Sequence, residues 1–184
     1  MDGKFTYTDP ESVSPVVFEQ IFAEVPGGAV VAEPDFYIPA STALGYDADN
    51  KLRPIKAYRL TEPIETADTT IQIAKGSGIK VGDIIATGKK GVAVTAVDSS
   101  SDEFDVVTVT LGVALATGSV LYQAKSASAS AAFPIYTPIY ILGEDMPTGE
   151  GDLMKRLING ANLRKETANV SDEVVALMKS IEKV

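Results

Sequence analysis

The sequence predicts a mainly β fold, a small β-barrel or β-tulip-like domain with a short C-terminal helix and an extended N-terminal arm. Between Thr69 and Gln123, short β-branched runs are separated by Gly, Asp, Ser or Lys at intervals of about 8–12 residues, which is typical of sandwiches and barrels. Apolar and polar residues alternate in these runs, as at Ile71 and Ile73, so each strand has one apolar face. Two strands open alike, with Gly and a small polar residue before an apolar pair, at 81–85 and 117–121.

The composition argues against several functional classes. The 184 residues carry a formal net charge of −9, which disfavours binding to phosphate backbones, so we expect no nucleic-acid partner. The chain has no Cys and no His, which removes the thiolate nucleophile and the most common general base and metal ligand at neutral pH. We therefore expect a protein that is not an enzyme and that holds no cofactor and no metal.

No basic-then-apolar signal sequence is present, and no apolar run approaches the ~20 residues that span a bilayer. We expect a soluble protein that has no membrane partner and is not exported by the usual secretory route.

The chain divides into three stretches. Residues 1–52 are predicted to form the N-terminal arm and a connecting segment. Residues 53–125 are predicted to form the β-barrel-like domain. Residues 126–184 are predicted to contain a linker, edge strands, a hairpin and the C-terminal helix.

The arm has one apolar stretch, made of Val16, Val17, Phe18, Ile21 and Phe22 before the Pro-Gly-Gly stop at 26–28. Its spacing favours a short helix, either packed on its own domain or docked on a partner. Left in water, the apolar residues of 1–26 would form a patch that monomeric proteins rarely tolerate. We expect the arm to become ordered on a partner surface.

A strand with two prolines is predicted at 133–142, and Pro134 and Pro138 favour a sheet edge. Ile135, Ile139 and Ile141 on such a strand could not all be paired within one chain, which predicts association into trimers.

The run at 153–166 contains Asn159-Gly160, the strongest two-residue hairpin signal, so a strand, a turn and a short extended piece are favoured over one helix. Four basic residues flank the predicted turn, namely Lys155, Arg156, Arg164 and Lys165. They are either a solvated hairpin face or a patch for an acidic partner. The candidate partner-binding residues are therefore Val16, Val17, Phe18, Ile21, Phe22, Arg156, Arg164 and Lys165.

The last segment has the pattern of a helix. Ser171 can cap its N-terminus, and acidic residues follow in the first turn. An apolar stripe at helical spacing, predicted to be buried, consists of Val174, Leu177, Met178 and Ile181.

Two motifs that could carry chemistry are better explained as structure. The Gly-rich loop at 76–82 lacks the spacing of a phosphate-binding loop and is flanked by predicted strands. The carboxylates of Glu144, Asp145, Glu150 and Asp152 fit no EF-hand spacing and are interpreted as an acidic surface turn. Tyrosines that could stack on sugars are scattered along the chain, at Tyr37, Tyr46, Tyr58, Tyr122, Tyr136 and Tyr140.

The run I-Y-I-L-G-E-D-M-P-T-G-E-G-D-L-M-K-R-L-I-N-G-A-N-L-R-K-E-T-A, followed by E-V-V-A-L-M-K-S-I, resembles the C-terminal part of phage head-decoration and head-fiber proteins. Those of Bacteroides and crAss-like phages are the most similar, and the decoration family of lambda-like phages is more distant. The stretch V-G-D-I-I, V-A-V-T-A-V-D and G-S-V-L-Y-Q-A is similar to the β region of head-fiber proteins. The resemblance covers residues 53–184.

The resemblance implies a non-enzymatic virion protein on the capsid exterior, a head fiber or auxiliary decoration protein. It implies a homotrimer bound to the major capsid protein, and it leaves a host-surface glycan open as an additional partner. The alternative is a carbohydrate-binding or adhesion module on a small β fold.

Overall fold

The structure, a computed structural model, describes residues 16–184, and the part of the predicted arm at 1–15 lies outside the described residues. The described chain is mainly β, as predicted, with one short helix near the C-terminus. The elements are β1 (Phe18–Glu24), β2 (Ala29–Val31), β3 (Ala43–Tyr46), β4 (Leu52–Pro54), β5 (Ala57–Arg59), β6 (Thr70–Ala74), β7 (Ile84–Thr87), β8 (Lys90–Ala93), β9 (Ala96–Asp98), β10 (Phe104–Thr108), β11 (Val120–Gln123), β12 (Tyr140–Leu142), β13 (Leu153–Lys155), β14 (Leu157–Leu163), α1 (Asp172–Val175) and β15 (Ile181–Lys183).

The strands form three sheets. The large sheet has the order β1-β14-β12-β3-β4-β2-β13, and β15 pairs in parallel with the second half of β14. A four-stranded sheet has the order β5-β11-β7-β8, and a three-stranded sheet has the order β6-β10-β9. The large sheet therefore combines strands from the segment before residue 55 with strands from the segment after residue 139.

Three apolar cores pack against the faces of these sheets. Consecutive residues of a strand point to opposite faces, and several neighbouring pairs in this chain enter different cores. The pairs on the large sheet are Ala43-Leu44, Ile141-Leu142 and Leu157-Ile158; those on the four-stranded sheet are Ile85-Ala86 and Leu121-Tyr122.

We name the cores by position. The middle core, which includes Ile141, Ile158, Ala86 and Tyr122, lies between the large and the four-stranded sheet. The small-sheet core, which includes Ile73, Val107, Ile85 and Leu121, lies between the two smaller sheets. The loop-side core covers the other face of the large sheet and consists of Val31, Ile38, Leu44, Leu52, Leu142, Met146 and Leu157.

The predicted strands of the central region are largely confirmed. β6 and β10 pair antiparallel from Phe104 opposite Ala74 to Thr108 opposite Thr70, and the predicted inward residues Ile71, Ile73 and Val107 are buried. The two similar strand openings each contain a glycine with positive φ, 92° at Gly82 and 81° at Gly118. Glycine accepts this backbone conformation without a steric penalty, so both turns need it.

The predicted C-terminal helix is present but short. Ser171 caps α1, and its Oγ accepts a hydrogen bond of 3.2 Å from the Val174 N–H. The chain then leaves the helix and Ile181–Lys183 pairs with β14, so the predicted stripe is only partly buried, and Leu177 is 51% exposed. Residues 181–183 pair with β14 instead of continuing the helix, because strand pairing satisfies their backbone N–H and C=O groups and still buries Ile181.

Two predictions for the C-terminal stretch are wrong. β12 is not an edge strand, because β14 and β3 pair with it on its two sides, and Ile141 is fully buried. Asn159-Gly160 forms no hairpin and lies inside the seven-residue strand β14. The reason is packing: a Cβ on Gly160 would lie 2.7 Å from the Phe22 ring, so this glycine gives β1 room to approach.

Among the described residues, no helix has the length and apolar character needed to cross a bilayer.

Candidate partner-binding surface

The first strand of the large sheet carries the apolar residues that were predicted to bind a partner. β1 pairs antiparallel with β14, from Phe18 opposite Leu163 to Glu24 opposite Ile158. The predicted helix at 16–22 is therefore wrong, and this part of the predicted arm packs on its own chain. Long-range strand pairing overrides the local helical spacing, because it satisfies the backbone and buries apolar area at the same time.

Bulges explain why the helical spacing misled. Glu19 is an extra residue between Phe18, opposite Leu163, and Gln20, opposite Asn162. In a regular strand, Phe18 and Ile21 would point to opposite faces. The bulge places both against the middle core, so residues three apart share one face as they would on a helix.

Val16 and Phe22 are the exposed apolar residues of this segment, each 56% exposed. Phe22 is the extra residue of a second bulge, between Ile21 opposite Ala161 and Ala23 opposite Gly160. Its ring lies on Gly160, on the face of the large sheet that points away from the middle core. Val17 is half-buried, and its carbonyl accepts a hydrogen bond from the Arg164 N–H.

The predicted basic residues lie at the two ends of β14. Arg156 Nε is 2.7 Å from Glu24 Oε2, and Arg164 Nε is 2.5 Å from Glu19 Oε1, so both arginines pair with acids of β1. Exposed Lys165 follows Arg164 in the chain, whereas Lys155 turns elsewhere and donates to the Asp145 carbonyl at 2.9 Å. The four basic residues therefore do not lie together in one patch, which was one of the two alternatives for them.

We call Val16, Phe22 and the two ion pairs Glu19–Arg164 and Glu24–Arg156 the edge surface. Its charges are balanced, and exposed ion pairs of this kind contribute only about 0–1 kcal/mol to stability. Among the described strands, β1 has a partner on one side only. Sheet edges of this kind can accept a further strand, and the bulges and acids of β1 limit indiscriminate pairing.

The acidic turn holds distant loops of the large sheet. Asp152 Oδ1 accepts the Glu33 N–H at 2.9 Å, and Asp145 Oδ1 accepts the Ala40 N–H at 2.7 Å. The Glu33 N–H bond is the main cause that lowers the pKa of Asp152. Within residues 16–184, no group of three acidic residues is placed to hold a metal ion.

The tyrosines proposed for sugar stacking do not form one cluster. Tyr58 and Tyr122 are buried, and their hydroxyls bond to Asp83 and to the Gly88 carbonyl. Burial raises the pKa of both phenols. Tyr37 and Tyr46 are exposed. The partial burial of the Tyr37 side chain and its hydrogen bond with Asp145 raise the pKa of Tyr37 to about 12. Half-buried Tyr136 lines one cleft, and Tyr37 lines another.

No local sequence pattern indicated the buried polar network that is centred on Asp83. Lys56 Nζ donates to Asp83 Oδ2 at 2.9 Å and to the Gly78 carbonyl at 2.6 Å, and it lies 5.5 Å from the centre of the Phe36 ring. Gln123 Nε2 donates to Asp83 Oδ1 at 3.3 Å. The network joins the loop at 33–38, β5 and the Gly-rich loop, which contributes the Gly78 carbonyl as an acceptor and the Lys80 N–H as a donor to Asp83 Oδ2 at 3.0 Å.

In comparisons with known proteins, no protein family, no curated protein and no solved structure matches this chain.

Proposed function

We propose that this chain is a structural virion protein that decorates the outside of a phage capsid, as a head fiber or auxiliary protein bound to the major capsid protein. The observation that carries the proposal is the sequence resemblance of the C-terminal run to head-decoration and head-fiber proteins. In the fold, this run forms β12, β13, β14, α1 and β15. It therefore builds the strand on which the edge surface rests.

The edge surface supplies a contact of suitable chemistry. Phe22 and Val16 offer apolar area, and a buried aromatic can contribute about 1.5–3 kcal/mol to binding. The flanking pairs Glu19–Arg164 and Glu24–Arg156 would form a polar rim of both signs. This surface is the one that we assign to the capsid contact.

The homotrimer is retained as part of the proposal on the resemblance alone. Strand β12 does not support a trimer, because Ile141 is fully buried within its own chain. Sedimentation equilibrium of the full chain at micromolar concentration tests this part, and a stable monomer would contradict it.

Capsid binding is tested by co-sedimentation of the full chain with shells assembled from the major capsid protein. We expect Phe22→Ser to weaken binding at least about tenfold, because it removes the central apolar anchor. Phe133→Ser is the matched control, since Phe133 is 65% exposed and lies outside β1. Failure of the unaltered chain to bind shells, or to occur on the exterior of intact particles in cryo-EM, would overturn the proposal.

A further inference from the structure

A cleft of about 360 Å³ opens where the loop at 33–36 faces β4 and the end of β11. Its walls include Glu33, Phe36, Arg53 and Tyr136, and Gln123 lies among the lining residues. The volume falls within the range of small-ligand sites, which are concave and combine apolar walls with a few polar groups. The edge surface shares none of these residues.

Glycines lie against both aromatic residues of the cleft, at the ring of Phe36 and at the Cβ of Tyr136. A Cβ on Gly78 would lie 2.4 Å from Cγ of Phe36, so the ring occupies the space that any other residue would fill. A Cβ on Gly45 would lie 2.6 Å from the Tyr136 Cβ and 2.4 Å from the Thr137 carbonyl oxygen. The Phe36 ring and the backbone that carries Tyr136 are therefore held in place without a ligand, which lowers the entropic cost of binding one.

The charged groups that line the cleft are balanced. Glu33 and Asp35 carry two negative charges, and Arg53 and Lys56 carry two positive ones. Two of these groups already form ion pairs within the chain, Lys56 with Asp83 and Asp35 with Lys80. An anionic ligand would meet two carboxylates in a chain of net charge −9, so the balance favours a neutral ligand.

Several polar groups of the cleft retain hydrogen-bonding capacity. Arg53 binds Asp47 through Nε at 2.6 Å, and no described residue accepts from its terminal amines. No described residue donates to the Glu33 carboxylate. Burial raises the pKa of Tyr136, so its phenol stays protonated and can donate at neutral pH. The cleft thus offers donors and acceptors beside two aromatic rings.

We propose that this cleft binds a neutral saccharide. A sugar ring has an apolar face of C–H groups, which suits an aromatic wall, and a rim of hydroxyls that donate and accept. The Glu33 carboxylate accepts from sugar hydroxyls, the terminal amines of Arg53 donate to them, and Phe36 and Tyr136 contact the ring. The inference is independent of the proposed capsid role, because a decoration protein and an adhesion module could both carry such a site.

The test is an array of immobilised neutral and sialylated oligosaccharides probed with the full chain, followed by calorimetric titration of the neutral glycan with the strongest signal. We expect binding to neutral glycans and a loss of at least about tenfold in affinity for Glu33→Gln, which keeps the side-chain shape but weakens a charge-assisted bond. Tyr136→Ala should weaken binding as well.

Two controls separate the cleft from general surface effects. Glu62→Gln removes a charge at an exposed acid outside the cleft, and Tyr46→Ala removes an exposed tyrosine outside it. Both should bind as the unaltered chain does. The proposal is overturned by an array with no neutral glycan bound, by a preference for sialylated glycans, or by binding that Glu33→Gln and Tyr136→Ala leave unchanged in folded protein.

Discussion

The large sheet and the two smaller sheets differ in the range of their longest strand pairings. In the smaller sheets, β7 and β8 form a hairpin with Ile84 opposite Ala93, and β9 pairs with β10 after a short connection. In the large sheet, β1 pairs with β14, so Phe18 meets Leu163. Short-range pairing leaves a local mark on the sequence, as regular alternation and turn residues, whereas long-range pairing leaves little.

In this molecule, local sequence patterns predict the strands of the smaller sheets better than the strands of the large sheet. In the smaller sheets local alternation indicated most strands, although Val92 and Val97 of one alternating run lie in β8 and β9, which belong to different sheets. In the large sheet, β1 pairs with β14 and β2 with β13, and each of these partners lies more than a hundred positions away. Substitutions in each region and at their junction show how far the stability of one region depends on the other.

The largest effect is expected where the regions are joined. Lys56→Met should leave the Asp83 carboxylate nearly buried without its cation and should lower the free energy of unfolding by about 3–5 kcal/mol in urea denaturation. Asp35→Asn at the exposed Asp35–Lys80 pair is the control and should change stability far less. Equal effects of the two substitutions would contradict a joining role for Lys56.

The next effect concerns the centre of the large sheet. Ile141→Ala should cost about 2–5 kcal/mol in the free energy of unfolding, because it leaves a cavity in the middle core. Ile139→Ala, two residues earlier and 39% exposed, should cost much less. If the two substitutions cost the same, β12 would behave as the edge strand that the prolines predicted.

Acid should loosen the loops of the large sheet. Bonds from Arg53 and from the Lys51 N–H lower the pKa of Asp47, and the Glu33 N–H lowers that of Asp152, both from a reference of 3.8. A carboxyl with a lowered pKa stabilises the fold above its unfolded value, and this contribution is lost as the pH falls through the folded pKa. The NMR shifts of the Glu33 and Lys51 amides should therefore titrate with midpoints below 3.8. A midpoint above 3.8, or a Glu33 titration that persists in Asp152→Asn, would contradict the assignment.

The smallest effect is expected at the outer end of β14. Arg164→Ala removes an exposed ion pair with Glu19 and should lower the free energy of unfolding by about 0.2–1 kcal/mol. The loss should shrink in high salt, since exposed charges are screened. A loss that is large and insensitive to salt would show that Arg164 anchors β1 by more than charge.

The central strands and the cap at Ser171 could be predicted because local residues determine them. The failures share a different cause. The helical spacing at 16–22 reflects a bulged strand, and Asn159-Gly160 reflects the need for a small residue beneath Phe22. The prolines before β12 mark the entry to a central strand rather than an edge.

The candidate surfaces show the same division. The apolar residues of the edge surface were identified from sequence, but their partners Glu19 and Glu24 were not, because no pattern places β1 beside β14. Of the cleft, sequence reasoning singled out Tyr136 as a candidate for sugar stacking but did not bring the other walls together with it. Its walls come from the loop at 33–36, β4, β11 and Tyr136, and the only local sign was a glycine in β3 and another in the Gly-rich loop.

The pairing of β1 with β14 also sets the order in which the protein can fold. During synthesis, β1 emerges early but cannot pair until residue 163 has left the ribosome, whereas β7 and β8 can meet at once. Closing such a long loop is entropically costly, and chains rich in non-local strand pairs fold in about milliseconds to seconds. Until that step, the apolar side of β1 and the matching edge of β14 stay open to other chains. The pairing of β1 with β14 therefore determines when the protein ceases to be prone to aggregation.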